Sequence, residues 1–299
     1  MKYVIGCTQD ERGREAISLA LTLARSLADP GSVELELVHI IRGSAPEDSA
    51  TQSERNFQQF QIDSANAWME RSLNLVPSKI KAQMHVRFAD SMAEGLLEAV
   101  SSFKADLVVV GAASHGPLRR FTVGSVANAL LHSSPVPVAL APSGYLPPRL
   151  LTRVSCAVGT RSGSEAVLQT AVEAAAVRHV PLRLVSLVSL DLGVAQGINN
   201  LQQRAQAHAT RVLEKAVEAV AQRTLVTTEV AQGRTIEAAI AKLDWDEEEI
   251  VLIGSSRLAE RSKIFIGATA NKMLRALPVP MVVVPRYHIV NDVVDTVKV

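Results

Sequence analysis

Glycines and prolines recur along this chain at one fixed separation. Gly111 and Gly254 stand 143 positions apart, and so do Gly124 and Gly267. Pro135-Val136-Pro137 and Pro278-Val279-Pro280 keep the same offset, as do Pro142 and Pro285. Such coincidence among residues that punctuate a fold marks an internal duplication. Each half must then form the same unit, of ordinary domain size at about 145 residues. Nearer the start of each half the offset is 151, which sets Thr8 against Gly159. The first half therefore carries extra residues before its third strand. The run Gly-Ser-Ala-Pro-Glu-Asp-Ser at 43–49 has the composition of a mobile loop and is the expected place.

Within each half, short apolar runs alternate with helical patterns. The runs lie at 3–7, 33–41, 84–88, 107–110 and 136–140, then at 154–158, 182–190, 225–230, 250–253 and 281–284. Ala16, Leu19, Ala20, Leu23 and Ala24 repeat at helical spacing, as do Met92, Leu96, Leu97, Ala99 and Val100. A helix is also expected over about 164–177. Nearly continuous apolar strands separated by helices predict βαβ units and a parallel sheet covered on both faces. Right-handed crossovers make each half an open, doubly wound α/β sheet. Ligands of such sheets sit beyond the carboxyl ends of the strands, where strand order reverses. The expected division is 1–146 and 147–286, with 287–299 as a tail or an extra edge strand.

Composition removes several function classes. Thirty-one Lys and Arg balance thirty Asp and Glu, for a formal charge of +1. A broad basic field for nucleic acid is therefore excluded. Two cysteines cannot build a disulfide framework. No apolar run reaches the roughly 18–20 residues of a membrane helix. Val4-Ile5-Gly6-Cys7 echoes a lipoprotein cleavage box but lacks the hydrophobic stretch that must precede one. A cytoplasmic protein without membrane or nucleic-acid partners is expected.

The chemistry concentrates after the fourth strand. Val108-Val109-Val110 runs into Gly111, and the loop that follows ends in Gly124-Ser125 before another helix. Free N–H groups at a helix start, with the helix dipole behind them, favour a phosphate. Glycine permits close backbone approach, and Ser125 offers a hydroxyl or, alternatively, only a helix cap.

The spacing Gly, two residues, Gly, nine residues, Gly-Ser/Thr resembles the phosphate loop of the universal stress protein (UspA) family. The helix after it and a strand opening with a Pro-x-Pro pattern also match, and both halves fit. The resemblance implies two tandem Rossmann-like domains of the adenine nucleotide alpha hydrolase-like type. It implies a stress-associated regulatory or binding protein, not an enzyme, with ATP or AMP as ligand and Mg2+ as a companion ion. In ATP-binding members an Asp after the first strand and backbone at the end of the second hold adenosine, while the glycine loop holds phosphates. Carried over, Gly111, Gly124 and Ser125 match, Ser114 replaces the second Gly, Thr8 stands at the Asp position, and Ile40 would offer backbone to adenine. In the second half Gly254 and Gly267 match, whereas Arg257, Ala268 and Gly159 replace the second Gly, the Ser/Thr and the Asp. Nucleotide binding there is expected to be weak or absent. The loss of a charged acceptor is typically worth on the order of 1–3 kcal/mol. The resemblance also implies pairing through the last strands, a dimer within one chain that a further copy could extend to a homodimer.

Other readings compete for these residues. An interaction scaffold for unknown protein partners, with degenerate sites, needs no ligand. Ser114, in Ala112-Ala113-Ser114-His115-Gly116, loosely mimics the nucleophile elbow of an α/β hydrolase, but the elbow's first Gly is Ala112 and the second copy holds Arg257. The seven histidines show no metal-ligand spacing, and no metal site is expected. His115, Arg119 and Arg120 lie within the candidate loop. Cys7 and Cys156 read as buried, inert thiols, and 244–249 as a solvated acidic helix end.

Overall fold

The computed structural model describes residues 1–45, 51–112, 124–145, 150–158, 164–189, 206–211, 213–215, 217–218, 224–255 and 266–285. The first half comprises β1 (Lys2–Gly6), α1 (Glu11–Arg25), β2 (Glu34–Arg42), α2 (Gln52–Leu73), β3 (Lys81–Ala89), α3 (Met92–Phe103), β4 (Leu107–Gly111), α4 (Ser125–Ser133) and β5 (Val138–Ala141). The second comprises β6 (Arg153–Ala157), α5 (Ser164–Ala176), β7 (Leu182–Ser189), β8 (Val226–Gly233), α6 (Ile236–Ile240), β9 (Glu249–Gly254), α7 (Ala268–Ala276) and β10 (Met281–Val284). Residues 206–211 are also helical.

Local chemistry sets several of these boundaries. A capping box opens α2: the Glu54 amide donates to the Thr51 hydroxyl at 3.3 Å, and the Thr51 amide donates to the Glu54 carboxylate at 2.7 Å. Ser91 caps α3 by accepting from the Glu94 amide at 3.1 Å, and Lys104 closes that helix in the left-handed region at φ 51°. The strand β3 starts at Lys81, earlier than the apolar run at 84–88 suggests. It is an outermost strand, half exposed, so Lys81, Gln83, His85 and Arg87 alternate with apolar residues and mask it. The strand β5 starts later than expected, after Pro137, which has no N–H but whose carbonyl accepts from Val108 at 3.0 Å.

All ten strands form one sheet in the order β3-β2-β1-β4-β5-β10-β9-β6-β7-β8. Within each half the pairing is parallel. Strand order therefore reverses between β1 and β4, and again between β6 and β9. The last strands join the halves antiparallel, with Met281 opposite Leu140 and Val283 opposite Val138. Helices α1, α2 and α5 cover one face, and α3, α4, α6 and α7 the other. Both hydrophobic cores run across the junction, because each contains residues of β5 and β10.

The connection between the halves is tied to one stripe of α1. The Gly144 amide donates to the Glu15 carboxylate at 2.6 Å, the Tyr145 hydroxyl to Thr22 at 3.3 Å, and the Leu151 amide to Ser26 at 2.8 Å. Positions 15, 22 and 26 share a helix face. Arg178, just past α5, donates to the Leu23 carbonyl at the end of α1 at 3.2 Å.

Buried charge stands on the same face of both halves with opposite sign. Opposite Val4, β2 carries Glu36, which is 4% exposed and 2.7 Å from His85 on β3. Opposite Ser155, β7 carries Arg183, also 4% exposed and 3.1 Å from Glu229 on β8. Arg183 also reaches Glu249 at 2.8 Å and stacks over Trp245 at 4.7 Å. Arg153 approaches the other Glu249 oxygen at 2.6 Å. The acidic run at 244–249 is thus not simply a solvated helix end: Glu249 is fully buried at the start of β9, and the Trp245 indole donates to the Ile240 carbonyl at 2.9 Å. Cys7 and Cys156 are buried, and burial pushes both thiols up to about 12.

Two outcomes follow in urea denaturation. Glu249→Leu leaves the buried Arg183 and the half-buried Arg153 without their shared counter-charge and is expected to cost about 3–5 kcal/mol, whereas Arg183→Met with Glu249→Leu recovers most of the loss. Glu15 gives a pH dependence. Its burial raises its carboxyl above the ordinary range, opposed by the Gly144 amide. A raised folded value means that the stability it contributes is fully present below the unfolded value, near 4.3, and is lost as pH rises through the folded one. Glu15→Gln should therefore gain stability relative to the parent as pH rises above about 4.3, and the gain should level off once Glu15 is fully ionised in the folded state.

Candidate functional site

The reversal between β1 and β4 lies where the repeat argument places the candidate residues. The pairing of Ile5 with Val109 carries Cys7 level with Gly111, so the ends of both strands emerge side by side. Thr8 follows β1, and Gly111 is the last residue of β4. Two glycines let the first turn of α1 close over them. A Cβ on Gly13 would stand 2.0 Å from the Thr8 carbonyl oxygen, and one on Gly111 would stand 2.3 Å from the Arg12 carbonyl oxygen. Contacts that close to backbone cannot be relieved by a rotamer change.

Ile40 sits inside β2 rather than at its end, opposite Arg87, with its side chain buried. The Val38 carbonyl accepts from the Cys7 amide at 2.8 Å, so it points toward β1. By strand alternation the Ile40 carbonyl points the same way, past the last residue of β1 and into the crevice. Its neighbour His39 is a packing residue: Nδ1 lies 3.0 Å from the Cys7 carbonyl oxygen and the ring meets Trp68 edge-on at 5.0 Å.

Gly124, and not Ser125, is the N-cap of α4, and no side chain caps that end. Ser125 is the first helical residue. The alternative reading of Ser125 as the helix cap is therefore corrected: its hydroxyl begins the helix, beside the free amides of the first turn. In the second half Gly254 ends β9, Gly267 is the uncapped N-cap of α7, and Ala268 is its first residue. Among the described residues a Cβ on Gly254 would meet the Val167 side chain, at 3.3 Å. Ser114, Gly159 and Arg257 lie outside the described residues, as do His115, Arg119 and Arg120. Among the described residues no cluster of His, Cys, Asp and Glu could hold a metal ion, and no helix is long and apolar enough to cross a membrane.

One group in the crevice was not singled out from sequence. The Asp10 carboxylate accepts from the Thr8 hydroxyl and from Arg12, whose Nε lies 2.7 Å away. Burial alone would raise the Asp10 carboxyl, but hydrogen bonds from Arg12 and Thr8, the Arg12 charge and the Gly13 amide together hold it below the ordinary range. The readable signal was an acid, then a base, directly after a strand and at a helix start.

A family model described as the universal stress protein family matches residues 4–142 and again 151–285. The chain belongs to the universal stress protein family. A universal stress protein of Mycobacterium bovis is 30% identical over 297 residues, covering 95% of this chain and 100% of the relative, and one of Mycobacterium tuberculosis matches equally. A universal stress protein structure from Archaeoglobus fulgidus shares the fold with a TM-score of 0.64 at 18% identity, covering 95% of this chain and 98% of that one. A functionally unknown protein of Pseudomonas aeruginosa PAO1 shares it with a TM-score of 0.57 at 15% identity, covering 95% and 92%. These likenesses show the fold, and the double match makes this chain a tandem universal stress protein.

The two glycines that end the fourth strand of each half should respond differently. Gly111→Ala forces backbone apart and is expected to cost about 1–3 kcal/mol in urea unfolding, as overpacking typically does. Gly254→Ala meets, among the described residues, the Val167 side chain and should stay below about 1 kcal/mol.

Proposed function

We propose that this universal stress protein binds an adenine nucleotide, ATP or AMP, in its first half and acts as a stress-associated regulator. The observation that carries this reading is the α4 start at Gly124, uncapped, beyond a strand that ends level with β1 at the reversal of strand order. Gly111, Ser114, Gly124 and Ser125 would surround the phosphates, with Mg2+ as a companion ion. Thr8 and Ile40 would flank the nucleoside. A phosphate would gain charge-assisted bonds from the α4 amides and the favourable end of the helix dipole. The role is binding rather than catalysis.

The second half is the poorer site. Ala268 brings no hydroxyl to the start of α7.

Calorimetry with ATP and AMP, with and without Mg2+, tests the proposal. One nucleotide per chain is expected, and Gly124→Val should weaken it by about tenfold or more by covering the α4 amides. Absence of binding at millimolar nucleotide would leave the interaction scaffold as the better reading. Two bound per chain would overturn the assignment of the second half as degenerate.

A further inference from the structure

We propose that the chain's own segment 286–299 docks on the outer face of α5, in the way the connection between the halves docks on α1. This docking does not depend on the nucleotide reading. Helix α1 packs against β5 and α5 against β10, and Pro142 and Pro285 follow those strands at the repeat offset of 143. The chain beyond Pro142 runs along α1 and meets Glu15, Thr22 and Ser26 through Gly144, Tyr145 and Leu151. The chain beyond Pro285 starts from the equivalent place beside α5. It lies outside the described residues and beyond the second family match, which ends at 285.

The two helices match at the offset of 151: Ala16, Ala20, Leu21 and Ala24 are buried, and so are Val167, Ala171, Val172 and Ala175. That offset turns Glu15, Thr22 and Ser26 into Ala166, Glu173 and Val177. Under the connection, Glu15 and Thr22 are 5% and 1% exposed. Ala166 and Glu173 are only half-buried, and Val177 is 41% exposed. The face of α5 is thus less covered than that of α1, and more apolar. The segment that follows Pro285 is apolar to match, with Ile289, Val290, Val293, Val294 and Val297. By the 143 offset, Leu151, buried beside Ser26, corresponds to Val294, so Val294 falls on Val177. Removing both valines from water favours the contact. Reach is sufficient. From Ala166 to Val177 the helix rises about 16 Å, and the segment can span about 46 Å when extended. An added edge strand is the poorer fit, because β10 lies between β5 and β9 and no free edge adjoins it.

Disulfide trapping in the full chain tests this. Cys7 and Cys156 are buried, with thiols pushed up to about 12, so they do not compete. Val177→Cys with Val294→Cys is expected to oxidise to a disulfide within one chain, read by non-reducing electrophoresis and mass spectrometry. The control pairs Val294→Cys with Phe60→Cys on α2, where the side chain is 69% exposed, and should stay reduced. Val290→Asp with Val294→Asp, which adds no cysteine, should speed hydrogen exchange in α5 by about tenfold and leave α1 unchanged. Equal trapping at Val177 and Phe60, or none at Val177, overturns the docking. Unchanged exchange in α5 overturns it as well. A disulfide found only between chains would assign the face to the tail of a second copy and overturn docking within one chain.

Discussion

The antiparallel ladder between β5 and β10 is the constraint from which the rest of the architecture follows. A parallel half-sheet of five strands has two edges, and its last strand here is short and entirely buried. Left open, such an edge would present unpaired amides and an apolar strip to any other chain. Joining the two halves edge to edge removes the β5 and β10 edges at once, leaves β3 and β8 outermost, and merges the cores on the two faces. Only a two-fold arrangement brings equivalent strands together antiparallel, so the duplication and the ladder imply each other. The same geometry sends the two strand-order reversals to separate places, one in each half. The sites can then diverge without disturbing the join.

Divergence is visible in the buried charges. Glu36 and Arg183 occupy equivalent positions across from the first strand of their halves, and His85 and Glu229 occupy equivalent positions on the outermost strands. Each pair is satisfied within its own half, one as carboxylate with imidazole, the other as guanidinium with carboxylate. Exchanging one member alone would set like charges together or strand a charge out of water, at a cost of several kcal/mol. The pairs therefore change sign together. The second half adds Glu249, Arg153 and the Trp245 ring to the network, which accounts for a run of acids that reads as solvated surface when only composition is considered.

The sequence made the fold legible because parallel strands buried on both faces leave apolar runs, and because the repeat allowed one half to check the other. It placed β3 but not its start, where an exposed edge strand alternates polar and apolar residues, and it left α2 undefined, whose capping box was readable in Thr51 and Glu54 but whose first half is largely exposed. In the candidate site, Gly111, Gly124 and Gly254 were found by register alone. Asp10 was not singled out because its hydrogen bond from Thr8 and its pairing with Arg12 exist only in the folded loop.

In the first half the α1 backbone presses against both strand ends, and the linker to the second half is tied to the same helix through Glu15, Thr22 and Ser26. Helix α1 is thus anchored along its length, by backbone contact at its start and by the linker at Glu15, Thr22 and Ser26. In the second half the described contact at Gly254 is with the Val167 side chain of α5, at 3.3 Å. A preorganised crevice floor loses less freedom on binding than a mobile one, so the anchoring of α1 is what a ligand in the first half would draw on.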